Sequence, residues 1–414
     1  MPDLRTIILA AGKGTRMKSD LPKVLHQVGG RPIIQYVIDV VKAVGSLKTY
    51  IVVGHQGTKV EAFLGKGFCC VEQKKLLGTA DAVRCTEKEL RAYHGDVLIL
   101  CGDTPLLDKA VIKQVVQKHR KTKASVTFLT ATVNDPQGYG RIIRNERGQA
   151  VVIREEKDAD ASEKKIKEIN AGVYCFRSQD LFSVLKAIKL NKKKKEFYLT
   201  DIVELFVNKG LKAKTVETQD VSSCLGVNTK EDLAVAETVM RERILKNFML
   251  QGVTIIDPKT TYIDADVKIG KDTVIRPFTF IERDVHIGNT CCIGPFARLR
   301  PGVRLSDSVE IGNFTEVSRT KMGKGTYMKH FSYLGDAVVG SKVNIGAGAI
   351  TANFDGKNKN ITKIDDEAFI GSDSVLVAPV TVGKKAVIGA GSVVTKGTKV
   401  PPRKVAMGIP ARVR

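Results

Sequence analysis

Ile263-Asp-Ala-Asp-Val-Lys-Ile269-Gly-Lys-Asp-Thr-Val-Ile275 places an aliphatic residue at every sixth position, and the pattern continues through Ile281, Ile287, Ile293, Leu299, Leu305, Ile311 and Val317. After a one-residue change of phase it resumes at Met322, Met328 and Leu334, then Val339 and Ile345. A last series runs Ile370, Leu376, Val382, Ile388, Val394 and Val400. A period of six is neither that of a helix nor that of a half-buried strand, so it marks an internal repeat. The physical solution is a parallel β-helix of triangular section, with three six-residue faces per coil and every rung residue pointing into the shaft. Gly270, Gly288, Gly312, Gly371, Gly383 and Gly389 follow rungs, where the absence of a Cβ relieves crowding at the corners.

Upstream of the ladder the pattern changes. Short β-branched runs at 6–9, 50–53, 67–71, 97–100 and 125–131 read as strands covered on both faces. Between them lie helical patterns at 32–44, with Pro32 in the first turn, and at 108–119. Alternation of this kind predicts an α/β domain with a mostly parallel sheet, Rossmann-like and suited to a nucleotide. Thr229-Lys-Glu-Asp232 then forms an approximate capping box before the apolar stripe Leu233, Ala236, Met240, Ile244 and Phe248. The expected organisation is therefore an α/β domain over 1–228, a linker helix over 229–252, and the β-helix over 253–414. The polar, lysine-rich stretch 351–366 interrupts the ladder and should project from the shaft, as functional loops on repeat proteins often do.

Composition narrows the partners. The chain of 414 residues carries 67 Lys and Arg against 44 Asp and Glu, a net charge of +23. No nucleic-acid-binding motif accompanies this charge, and aromatic residues make up 6% with no Trp, so anionic small substrates are favoured over nucleic acid. The densest basic run, 192–195, reads as a solvated loop. No apolar stretch approaches a membrane span. Eight scattered Cys lack metal-site spacing and read as reduced thiols, and no secretory leader is apparent, which together point to the cytoplasm.

Two stretches carry the chemistry. After the first strand comes Leu9-Ala10-Ala11-Gly12-Lys-Gly-Thr-Arg16, followed by Pro22-Lys23. Backbone N–H groups in a glycine turn, with Lys13, Arg16 and Lys23 nearby, are what a triphosphate needs. Asp103 in Gly-Asp-Thr-Pro is by itself an ordinary turn residue. In the ladder, His330 lies beside the rung Met328, and its flanks Lys329 and Phe331 would also suit a plain surface histidine.

Taken whole, Gly12-Lys-Gly-Thr-Arg-Met17 with Pro22-Lys23 looks like the signature of the sugar-nucleotidyltransferases. Further matches follow in order: Gln73, Gly78-Thr79-Ala80, Gly102-Asp103-Thr-Pro, Gly138-Tyr-Gly140-Arg-Ile142, Glu155, Asn170, Tyr198-Leu-Thr-Asp-Ile202 and Gly226-Val-Asn228. Joined to hexapeptide repeats, the chain resembles, over its full length, the family of bifunctional N-acetylglucosamine-1-phosphate uridyltransferases/glucosamine-1-phosphate acetyltransferases. The resemblance implies a left-handed β-helix that acetylates glucosamine-1-phosphate with acetyl-CoA. It implies an N-terminal domain that joins N-acetylglucosamine-1-phosphate to UTP with Mg²⁺, giving UDP-N-acetylglucosamine for peptidoglycan and lipopolysaccharide precursors. A homotrimer is also implied.

Carried over residue by residue, Asp103 and Asn228 would bind the metal, and Arg16 and Lys23 would neutralise phosphates. Leu9, Ala10, Ala11, Gly12, Gln73, Gly78 and Thr79 would hold the nucleotide, with Gly140, Glu155 and Asn170 on the sugar. His330 would be the general base of acetyl transfer, with Arg300, Tyr333, Asn344 and Lys359 on its sugar phosphate. Ala347, Asn353, Phe354, Ser372 and Ala390 would line the acetyl-CoA groove. The chain departs from the family at Leu76 and Cys101, where Gln and Tyr are common, and at Ser318 and Phe354, where Lys and Tyr are usual. Its β-helix is shorter than is typical, and the ending Met407-Gly-Ile-Pro-Ala-Arg412 resembles other hexapeptide acyltransferases. The alternatives are a monofunctional nucleotidyltransferase with the β-helix as a trimerisation shaft, and a non-enzymatic scaffold.

Overall fold

A computed structural model describes residues 3–191 and 195–414, so most of the basic run at 192–195 lies outside the described residues. The chain divides into two compact units, Met1–Val239 and Met240–Arg414.

The first unit is built on a nine-stranded sheet. Its main path comprises β1 (Leu4–Leu9), β2 (Lys48–Val53), β3 (Cys69–Glu72), β4 (Asp96–Cys101), β5 (Val126–Thr132), β6 (Glu168–Arg177) and β7 (Ala213–Thr218), in the order β7-β5-β6-β4-β1-β2-β3. All neighbours on this path are parallel except β6, which runs antiparallel to both β4 and β5. Side chains alternate between two cores. Ile8, Ile51, Leu98 and Leu100 face one, and Ile7, Tyr50, Val52, Val97 and Ile99 face the other. The helix Ile33–Ala43 covers the first core with Ile34, Val37, Ile38 and Val41, one stripe at helical spacing. Helices Thr79–Arg84 and Asp201–Asn208 cover the second.

Two local expectations shift. Pro32 caps the first helix from outside rather than sitting in its first turn. The strand expected at 67–71 is Cys69–Glu72, because Gly65–Gly67 forms a short 3-10 turn. At the capping box, Asp232 N–H donates to Thr229 Oγ1 at 3.0 Å and Thr229 N–H to Asp232 Oδ2 at 2.9 Å. The helix so begun runs Lys230–Leu250 and buries Ala236, Met240, Ile244 and Phe248.

In the second unit, two- to four-residue strands stack into three sheets of ten, eight and eight strands, parallel throughout except for the last strand of the ten. Each rung sits on the one a coil before it: Ile311 on Ile293 on Ile275, Val317 on Leu299 on Ile281. The change of phase shortens one coil, pairing Leu305 with Met322 without breaking register. Gly312 shows why glycine follows a rung: a Cβ there would lie 1.8 Å from the Lys329 carbonyl oxygen.

The ladder is more continuous than its aliphatic pattern suggests. Thr351 and Ile364 are buried rungs, paired with Leu376 and Val382. Thr351 Oγ1 accepts from Gly335 N–H at 2.8 Å and donates to Gly335 O at 3.1 Å, which pays for its burial. The projecting segment is therefore 353–361, pinned by a bridge between Phe354 and Lys359, rather than all of 351–366. At the end of the chain, Val405–Gly408 and Ala411–Val413 form an antiparallel hairpin that ends the first sheet.

Candidate functional site

Strands β1 and β4 end side by side, and the loops that leave them open a cleft of about 600 Å³ at the C-terminal edge of the sheet. Leu9, Ala10, Ala11, Gly12, Arg16, Lys23, Gln73, Gly78, Thr79, Asp103, Glu155 and Asn228 all line it. Gly140 and Asn170 do not. They sit together beside it, with Asn170 N–H donating to Gly140 O at 2.9 Å and Asn170 Nδ2 to the Tyr174 hydroxyl at 2.7 Å. Glu196 and Tyr198 also line the cleft. Tyr198 opens one of the quoted runs, but nothing local in the sequence marks Glu196.

The Lys23 ammonium is bracketed by two oxygens. It donates to Asp103 Oδ2 and, at 3.0 Å, to Asn228 Oδ1, which also accepts from Arg16 at 3.0 Å. Residues more than 200 positions apart in sequence thus converge on one cation. One anionic and one neutral oxygen, beside a basic glycine loop, suit a hard divalent ion that draws its other ligands from phosphate and water. Among the described residues no cluster of three or more His, Cys, Asp or Glu could hold a metal by itself.

Two carboxylates, Glu155 and Glu196, also line the cleft, and Asp201 lies close enough to Glu155 to feel its charge. Glu155 is held above the usual carboxylate range, chiefly by burial, although Thr200 Oγ1 donates to it at 2.8 Å. Burial first, then the Glu155 charge, raises Asp201 to about 6. Burial pushes the Cys101 thiol up to about 12, with the Asp103 charge adding to it. Cys101 is thus a neutral wall residue.

On the β-helix the residues are strung along edges. Tyr333 lines an apolar groove of about 640 Å³ with Phe314, Glu316, Phe331 and Ile350, and Arg300 pairs with Glu316 at 2.8 Å. His330 and Lys359 are exposed. Ala347, Ser372 and Ala390 fall on successive coils of one corner, where Asp373 N–H donates to Ala347 O and Gly391 N–H to Ser372 O at 2.8 Å. Asn344 begins a neighbouring strand, and Phe354 is 60% exposed on the projecting segment.

Ser318 is fully buried and cannot reach outward. Its Oγ accepts instead from Arg319 at 2.8 Å, while Arg319 grips Asp336 with two bonds of 2.6 and 2.9 Å. Asn353 joins the same carboxylate, which the Arg319 hydrogen bonds hold below its ordinary range. A guanidinium therefore stands next to the position where the sequence lacks a lysine.

The architecture and the two sets of polar residues define a sugar-nucleotidyltransferase fold joined to a hexapeptide acyltransferase fold. The family model described as Nucleotidyl transferase matches residues 5–222, and that of the hexapeptide repeat of succinyl-transferase matches 361–396. Relatives named Bifunctional protein GlmU match both units. That of Halalkalibacterium halodurans is 43% identical over 94% of this chain and 93% of its own length. That of Geobacillus sp. is 44% identical over 94% and 92%, and that of Lactococcus lactis 44% over 97% and 94%. The chain belongs to the family of bifunctional GlmU proteins, and its second unit is accordingly a left-handed parallel β-helix.

Proposed function

We propose that this chain makes UDP-N-acetylglucosamine in two steps, acetylating glucosamine-1-phosphate on the β-helix and joining the product to UTP in the α/β unit. The observation that carries the reading is the likeness to bifunctional relatives across both units, which disfavours a shaft that only assembles the protein.

In the α/β cleft a phosphate oxygen of N-acetylglucosamine-1-phosphate attacks the α-phosphorus of UTP. A new P–O bond forms, the bond to the β-phosphate breaks, and pyrophosphate leaves. Catalysis here is positioning and neutralisation of crowded negative charge. Arg16, Lys23 and the N–H groups of the glycine loop hold the phosphates in line. Asp103 and Asn228 would hold Mg²⁺, which supplies further neutralisation when bound. Gln73, Gly78 and Thr79 face the uracil, and Glu155, with Gly140 and Asn170 beside it, the acetylated sugar.

On the β-helix the amine of glucosamine-1-phosphate attacks the acetyl-CoA thioester. His330 accepts the proton as the C–N bond forms, and the C–S bond then breaks to release CoA. Tyr333, Arg300, Asn344 and Lys359 hold the sugar phosphate, and the corner bearing Ala347, Ser372 and Ala390, with Asn353 and Phe354 at the projecting segment, takes the cofactor.

The chain works as a homotrimer. In support, Phe278, Phe296 and Phe314 stack at 4.8 Å along one corner, each at least 43% exposed, and Phe331 extends the apolar strip. The β-helix unit is taken to extend over 253–414, reached through the helix at 229–252. The eight unbridged cysteines suit the cytoplasm, and among the described residues no helix is long and apolar enough to cross a membrane.

The test is a matrix of each nucleoside triphosphate against each sugar-1-phosphate, with and without acetyl-CoA. UTP with N-acetylglucosamine-1-phosphate should release pyrophosphate, and acetyl-CoA should let glucosamine-1-phosphate replace the acetylated sugar. Absence of either reaction would reduce the chain to the other.

A further inference from the structure

Gln73 follows the end of β3 and is only 4% exposed, yet it lines the cleft. Its side-chain amide is spoken for on one side only. Nε2 donates to the Gly78 carbonyl oxygen at 3.1 Å and to Asp81 Oδ2 at 2.8 Å. Both partners are acceptors, so only the NH₂ end can face them; reversed, the amide would oppose two lone-pair bearers with a third. The Gly78 partner is fixed in place: its φ is +100°, and a Cβ there would fall 2.6 Å from the Phe197 carbonyl oxygen. Asp81, half-buried on the helix Thr79–Arg84, adds the charge-assisted bond. The Gln73 Oε1 takes no hydrogen bond from any described residue, and it is not among the fully enclosed polar atoms. It is left open to the cleft.

We propose that Asp81 is a positioning residue that sets the polarity of the nucleobase subsite. By taking the Gln73 N–H, it turns the Gln73 carbonyl oxygen into the cleft as an acceptor. An acceptor at that point pairs with the N3–H of uracil and opposes the N3 lone pair of cytosine. This rests on the reading of the cleft as a UTP site, and it adds a residue that touches no substrate.

Three substitutions test it in the full-length protein, with kcat and KM for UTP and for CTP measured by pyrophosphate release. Asp81→Leu keeps the volume and removes the acceptor; Asp81→Asn removes the charge but keeps an acceptor for Gln73. Asp81→Ser, too short to reach the amide, serves should the leucine variant fail to fold. In Asp81→Leu the ratio of kcat/KM for UTP over CTP should fall about tenfold, the value of one misplaced hydrogen bond. The loss should lie mainly in the KM for UTP, and Asp81→Asn should restore most of the ratio. A purely structural role, or a charge that merely suits the first turn of the helix, would lower both nucleotides alike and would not be rescued by asparagine. An unchanged ratio in Asp81→Leu or Asp81→Ser, or an asparagine variant as impaired as leucine, overturns the proposal while leaving the uridylyl reading intact. Wild-type protein inactive with UTP would overturn both.

Discussion

The α/β unit and the β-helix place their polar side chains by opposite means. In the first, residues from positions 9 to 228 meet in one cleft, and the key charges already have partners: Lys23 lies between Asp103 and Asn228, and Arg16 on Asn228. In the second, each coil sets residues at a fixed height on a rigid shaft, and His330, Lys359, Ser372 and Ala390 stand exposed. A sheet edge with long loops can wrap a ligand; a solenoid is a ruler, and what it holds must be gathered from several coils or from a neighbour. The difference predicts two chemistries that fail separately.

The largest effect should come from Asp103→Ala. It removes the only anionic oxygen of the pair that brackets Lys23 and would cost several kcal/mol of transition-state stabilisation in uridylyl transfer, the order expected for charge neutralisation by a metal. Acetyl transfer by the same variant should run at the wild-type rate. His330→Ala is the mirror experiment. Loss of a general base should slow acetylation by about 10²–10⁴-fold while uridylyl transfer to pre-acetylated sugar is unchanged. Either variant losing both activities would erase the contrast between the units.

Stability offers a third test. Leu299 is fully buried between Ile281 and Val317, so Leu299→Ala opens a cavity in a column that has few ways to collapse. Chemical denaturation should show a loss of about 3 kcal/mol confined to the β-helix transition. Uridylyl transfer at 25 °C should persist. A cost under 1 kcal/mol would mean that the rungs are not the support of the shaft.

How much of this was legible depends on whether the signal is local. The six-residue ladder is written in the chain, because every coil repeats one packing problem. Thr351 escaped it because its rung is polar and is rescued by Gly335, a residue 16 positions away. The glycine loop and its cations could be read from a turn and its charge, and most of the remaining lining from the family resemblance; Glu196 could not, and the Asp81 bond to Gln73 exists only once a strand end and a helix meet. Gly140 and Asn170 show the reverse case: both matched a pattern, but they bond to each other at the side of the cleft rather than lining it. Around Ser318 the sequence revealed a missing lysine, while the turn of Arg319 onto Ser318 and Asp336 is tertiary.

The smallest effect tests the acidic cluster around Glu155. Asp201 opens the helix Asp201–Asn208 and is raised from 3.8 to about 6 by burial and by the charges of Glu155, Glu204 and Asp158, with Arg154 opposing. A carboxyl whose folded value lies above its unfolded value binds protons more tightly in the native state. Its contribution to stability is therefore full below about 3.8 and is lost as the pH rises through about 6. Asp201→Asn removes that loss. The carboxyl is only half-buried, so solvent screening reduces the effect to about 1 kcal/mol, and a weaker interaction with the helix N-terminus offsets part of it. The measurement is the slope of unfolding free energy against pH between 4 and 8, which should be shallower in the variant than in the wild type. Equal slopes would mean that solvent already relieves the crowding of Asp201 against Glu155, Glu204 and Asp158.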